Sequence, residues 1–174
     1  MLIVLTLFLG MAEGLQPVFS RFAASGEADR ARALLRFSIR VFLCIGLACY
    51  ALILVWGGDF YALFAPGDPE LTAFAFQKSP AYFWGFTLAG FNILMVSYWQ
   101  SSQFTGHALI LSLLRSVVFP PALLLLLPPL LGREALWGCQ SLGEAVATCC
   151  ALAMLLAAKS HRGNSPYRSS ILRR

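Results

Sequence analysis

Apolar residues run through this chain in long blocks, broken by short polar segments, with no alternation of the kind a half-buried strand shows. A helix that crosses about 30 Å of hydrocarbon at 1.5 Å per residue needs about 20 mostly apolar residues. Five blocks meet that length. They run from about Met1 to Phe22, Leu34 to Trp56, around Tyr82–Trp99, Ala108 to Leu131, and Leu136 to Ala158. The pattern predicts an all-α integral membrane protein of about five transmembrane helices. The opening block lacks a basic leader and a small-residue cleavage site, so it is read as a mature span.

The polar breaks carry their own signals. Ser25 or Gly26 is expected to cap a helix whose first turn holds Glu27 and Asp29. In Pro66-Gly67-Asp68-Pro69-Glu70, Asp68 suits a cap, Pro69 the first helical position and Glu70 the first turn. Ser79-Pro80 suits either a second helix start or a kink. The stretch around Leu71, Phe74 and Lys78 therefore reads as a short interfacial helix or as the start of a long, bent third span. Pro120-Pro121 and Pro128-Pro129 predict a bent fourth span that is packed in a bundle or lines a wet cavity.

Composition agrees with lipid as the solvent. Hydrophobic residues make up 59% of the 174 and charged residues only 12%, about half the share of a soluble domain. The net charge of +5 is not that of a nucleic-acid binder, because its cations sit in short breaks between apolar runs without interleaved aromatic platforms. Nucleic acid is not an expected partner. Arg21, Arg30, Arg32, Arg36 and Arg40 follow the first block, and Lys159, Arg162, Arg168, Arg173 and Arg174 follow the fifth, against only Lys78 and Arg133 on the other side. That bias predicts a cytoplasmic first loop and tail, an external N-terminus and a multi-pass protein of the cell (plasma) membrane. Residues 1–158 read as one transmembrane bundle and 159–174 as a basic cytoplasmic tail. Arg32, Arg36 and Arg40 recur every four residues, a stripe suited to lipid phosphates or simply to water.

Ionisable or amide groups inside apolar blocks are the candidates for function, because burying them in lipid costs several kcal/mol. Glu13 is flanked by Gly10 and Gly14, a spacing that permits close helix approach, and Gln16 and Pro17 follow. Glu13 is either an ion site or cavity wall, or a packing pair. Asn92 is the lone amide of the third block and suits a cavity or an interhelical bridge. Tyr98, Gln100 and Gln103 lie at its inner end. Arg115 either snorkels to the surface or meets a carboxylate, with Glu13 the nearest candidate by type. Glu144 reads as a second buried acid or one that reaches the outer interface. Phe83, Trp84, Phe86 and Phe91 suit cation–π contact with organic cations, with lipid the default. Cys44, Cys49, Cys139, Cys149 and Cys150 read as small apolar residues. No phosphate loop, nucleophile–histidine pair or metal-ligand spacing is present, so no enzyme activity and no cofactor are expected.

Several segments resemble the multidrug and toxic compound extrusion (MATE) family. They are Gly14-Leu15-Gln16-Pro17-Val18-Phe19-Ser20 followed by Ala24-Ser25-Gly26 and a basic helix; Leu63-Phe64 with Asp68-Pro69-Glu70-Leu71; Gly90-Phe91-Asn92 through Ser97-Tyr98-Trp99-Gln100; Leu111-Ser112-Leu113-Leu114-Arg115; and Gly132 to Trp137. Matched in order, they are similar to helices eight to twelve of a twelve-helix, two-bundle transporter. The resemblance implies efflux of small organic cations or drugs in exchange for H⁺ or Na⁺, with Glu13, Gln16 and Asn92 lining the cavity. It also implies that the chain is the C-terminal portion of such a transporter, inactive without an N-terminal bundle supplied in cis or trans. A lipid-linked precursor flippase of the same superfamily and a non-transporting membrane partner subunit are the alternatives.

Overall fold

A computed structural model describes residues 2–102 and 104–163, with side chains described to residue 157. Gln103 and the basic side chains of the tail lie outside the described residues. Among the described residues seven α-helices appear in order: α1 Leu2–Ala24, α2 Ala28–Phe64, α3 Pro69–Phe83, α4 Phe86–Ser101, α5 Thr105–Leu113, α6 Phe119–Leu131 and α7 Cys139–Gly163. A π-helical segment, Leu114–Val118, joins α5 to α6, and a 3-10 segment, Arg133–Gly138, precedes α7. Among the described residues, four rods are long and apolar enough to cross a membrane: α1, α2, the α5–α6 rod and α7 with its 3-10 lead-in. The third expected span is delivered in two pieces. α3 and α4 meet at Trp84–Gly85, both in right-handed helical conformation, so they form one bent path. α7 runs through the expected boundary between bundle and tail, to Gly163.

The junctions show where local sequence governs. The side chain of Asp68 accepts a hydrogen bond from Leu71 N at 2.9 Å, with Pro69 opening the helix, as its sequence predicts. The first junction differs from expectation. Gly26, at φ +72°, closes α1 in the left-handed conformation that ends helices, and α2 starts from Glu27 without a side-chain cap. Pro80 lies inside α3 and does not start a second helix.

α4 forms the centre. Phe86, Ala89, Gly90, Phe91, Asn92, Ile93, Leu94 and Met95 are consecutive or nearly consecutive and all buried, so no face of this helix is left for solvent or lipid. It packs against α1, α2, α5 and α7. Phe86 and Phe91 therefore belong to the protein interior, and the expectation that they face lipid fails. α1 contributes Phe8, Ala12 and Phe19, α2 contributes Leu35 and Phe42, and α7 contributes Ala147 and Ala151. Lipid removes most of the hydrophobic drive between helices, so close packing and hydrogen bonds must hold them together. Two contacts show this. A Cβ on Gly46 of α2 would sit 2.7 Å from Thr87 Cα, so α2 and α4 touch backbone to backbone. Ser97 Oγ donates to Ala12 O at 2.9 Å, tying α4 to α1.

The outward faces of α2 and α6 are rich in large apolar side chains, among them Leu47, Leu52, Val55, Leu125 and Leu130. These are the surfaces expected against lipid tails.

Candidate functional site

Three spans converge on one buried polar cluster. Glu144 in the second turn of α7 accepts from Arg115 Nε at 2.9 Å on both carboxylate oxygens. Asn92 of α4 donates through Nδ2 to Glu144 Oε2 at 2.8 Å and to the Glu144 carbonyl at 3.0 Å. Thr148, one turn further along α7, donates its hydroxyl to Asn92 Oδ1 at 3.1 Å or to the Glu144 carbonyl at 2.8 Å. The Glu144 side chain is 5% exposed, that of Arg115 18%, and Asn92 0%. No buried side-chain polar atom among the described residues lacks a partner. An ion pair this dry is tolerated only when its remaining lone pairs are met, and Asn92 meets them.

The backbone around Arg115 is built for this. Pro120 and Pro121 lack backbone donors, and their rings press on carbonyls a turn earlier. The preceding turn widens to π geometry at Leu114–Val118, with Phe119 N–H reaching back to Leu114 O. Arg115 sits on that widened turn and reaches across to α7. Of the two sequence-based options for it, snorkelling fails and a carboxylate partner is found, though not the expected one. That carboxylate is Glu144, not Glu13. Residue type alone suggested Glu13; depth and facing select Glu144.

A second tie lies one layer further out. Ser141 Oγ accepts from Gly85 N at 3.0 Å and donates to Tyr82 O at 2.7 Å, so α7 clamps the α3–α4 break. A Cβ on residue 85 would stand 2.6 Å from Ser141 Cα, which is why a glycine occupies the bend. The void between these helices, bordered by Gly85, Ser141 and Glu144, measures about 10 Å³, room for at most one water. The cluster is a structural knot with no space for an organic substrate.

Glu13 stands elsewhere. It lies at the middle of α1 on the exposed side, and Gln16, a turn on, is half-buried. Neither has a hydrogen bond or ion pair among the described residues. Gly10 and Gly14 have nothing within 4 Å of an added Cβ, so their close-approach surface is unused among the described residues. Thr6, Gly10, Glu13, Pro17, Ser20 and Ala24, spaced alternately four and three, make one exposed stripe of small and polar residues. Asn92 is not on that stripe; the structure places it in the knot with α7. The three expected cavity residues are thus divided between an open face and a closed interior.

A cleft of about 500 Å³ also opens between the C-terminal end of α2 and the N-terminal half of α3, lined by small residues such as Gly58, Ala62 and Ala73. No ionisable side chain lines it.

With this geometry in place, the comparison with protein families can be read. The family model MatE matches residues 1–124. The chain belongs to the MatE family. Among curated proteins and among solved structures nothing matches. MatE membership makes this a multi-pass membrane protein of a transporter family. The matched segment contains Glu13, Gln16, Asn92 and Arg115, whereas Glu144 and Thr148 lie beyond it. The MatE match therefore takes in one charge of the buried pair and not the other.

Proposed function

We propose that this chain forms one bundle of an ion-coupled efflux antiporter for small organic cations, with H⁺ or Na⁺ as the counter-ion and a second bundle supplied in cis or trans. The single observation that supports this most is the exposed face of α1. A carboxylate at the middle of a spanning helix is costly against lipid, and small neighbours are poor lipid contacts where the other outward faces carry leucine, valine and phenylalanine. The face suits a water-filled cavity, where Glu13 attracts a cation and Gln16 adds an amide. Asn92, in this reading, holds α4 to α7 and does not touch substrate.

The flippase alternative is weaker. An anionic head group needs cationic side chains in the cavity, and Arg115, the cation inside a span, is neutralised by Glu144.

The test is transport in everted vesicles from an efflux-deficient host that expresses this chain with the coding sequence flanking it. Ethidium serves as the organic cation, and an imposed proton or sodium gradient as the drive. Gradient-dependent accumulation that collapses in Glu13→Gln and survives in Glu13→Asp supports the proposal. Stable insertion without gradient-dependent flux overturns it and leaves the non-transporting subunit.

A further inference from the structure

α2 is far longer than a membrane is thick: 37 residues, or about 56 Å at helical rise. Its uncharged part runs from Val41 to Gly58, between Arg40 and Asp59. That stretch is about 27 Å long, close to the thickness of the hydrocarbon core. Arg40 therefore marks one edge of the hydrocarbon, and Arg36 lies one turn beyond it, at the depth of the phosphates.

The arginines at this end are not equivalent. Arg32 is already engaged, donating from Nη2 to Asp29 Oδ1 at 2.8 Å and from Nε to Ala28 O at 3.2 Å. Arg30 pairs with Glu27. Arg36 and Arg40 are exposed, with no ion-pair or hydrogen-bond partner among the described residues. Side chains four apart on a helix are neighbours, with Cβ atoms about 5–6 Å apart, so both guanidinium groups can close on one phosphodiester.

What lies beneath them decides the ligand. The opposite face of α2, through Leu35, Ser38, Phe42 and Gly46, is buried in the bundle. The arginine face continues down the helix through Leu43, Leu47 and Leu54, and Leu47 and Leu54 are exposed. Phe37, 64% exposed, flanks the arginines at the interface. A free phosphate, or a nucleic acid backbone, has no use for the leucine track; a phospholipid uses both halves.

We propose that Arg36 and Arg40 form a binding site for the phosphodiester of an anionic phospholipid, whose acyl chains lie along Leu43, Leu47 and Leu54. The net negative charge of the lipid matters, because two unpaired cations meet it at low dielectric. This proposal is independent of the transport reading.

The test is native mass spectrometry of the purified full chain, titrated with phosphatidylglycerol or with phosphatidylcholine in the same detergent. Wild type is expected to retain phosphatidylglycerol preferentially. A basic residue near an anionic surface contributes about fivefold, so Arg36→Gln with Arg40→Gln should lower phosphatidylglycerol binding roughly twenty-five-fold. Arg32→Gln, which removes an arginine already paired, should change it less than about twofold. Unchanged helicity by circular dichroism certifies the double variant; if that variant does not fold, Arg36→Lys with Arg40→Lys, which keeps the charge, should retain most of the preference. Equal retention of both lipids by wild type overturns the site, as does a folded double variant that binds like wild type. Complete displacement by inorganic phosphate overturns the lipid as its ligand.

Discussion

Two regions of this bundle carry charge at membrane depth, and they treat it in opposite ways. Around Glu144 each buried side-chain polar atom among the described residues has a partner: Arg115 Nε on both oxygens, Asn92 on one of them and on the carbonyl, and Thr148 closing the ring. Around Glu13 nothing among the described residues answers the carboxylate, and the glycines beside it have nothing within 4 Å of an added Cβ. A satisfied charge holds helices together, and an unsatisfied one at the same depth is left for something outside the chain. The first belongs to the stability of the fold; the second is where the proposed function rests.

That contrast can be broken most sharply at the knot. Glu144→Ala leaves Arg115 buried without its counter-ion and should cost about 3–5 kcal/mol, read as a lower unfolding midpoint by circular dichroism in detergent. Replacing both partners, Arg115→Met with Glu144→Leu, should cost less than Glu144→Ala alone, because no charge is then stranded. A double variant as unstable as the sum of the single ones would show that the pair does not act as a unit. Next in size is Gly85→Ala, whose new methyl meets the Ser141 backbone at 2.6 Å. It should destabilise by about 1–3 kcal/mol, and a midpoint equal to wild type would mean that the α3–α4 bend is not clamped by α7. Asn92→Ala should cost about 1 kcal/mol, the scale of interhelical hydrogen bonds in membranes, by the same measurement. Smallest is Glu13→Gln, expected to shift stability by less than about 0.5 kcal/mol while removing gradient-driven ethidium flux. A large loss of stability there would place Glu13 among the packing residues after all.

Much of this was legible in particular residues. Asp68-Pro69-Glu70 announces its helix because the cap, the fixed proline φ and the dipole act within one turn. The proline pairs of the fourth span announce a distorted rod for the same local reason, although its π-helical form was not foreseen. Arg115–Glu144 was not legible. Both residues stood out as ionisable groups in apolar blocks, but periodicity does not report how two helices are rotated towards each other. The clue available was opposite charge, and it fitted Glu13 equally well. Phe86 and Phe91 misled for a related reason: a helix apolar all round can sit in lipid or at the centre of a bundle, and only its neighbours tell which.

Sequence by itself determined the helical spans, the turns between them and the family resemblance that the MatE match supports. These follow from the demand that each backbone donor and acceptor in lipid be met within its own helix, over about 20 residues at a time. Tertiary structure decided which polar group meets which, across 29 residues for Arg115 with Glu144 and 52 for Asn92 with Glu144, and which face of α1 stays open. Those outcomes depend on the rotation and depth of whole helices, set by packing such as Gly46 on Thr87 and Gly85 on Ser141, and no single segment carries that information.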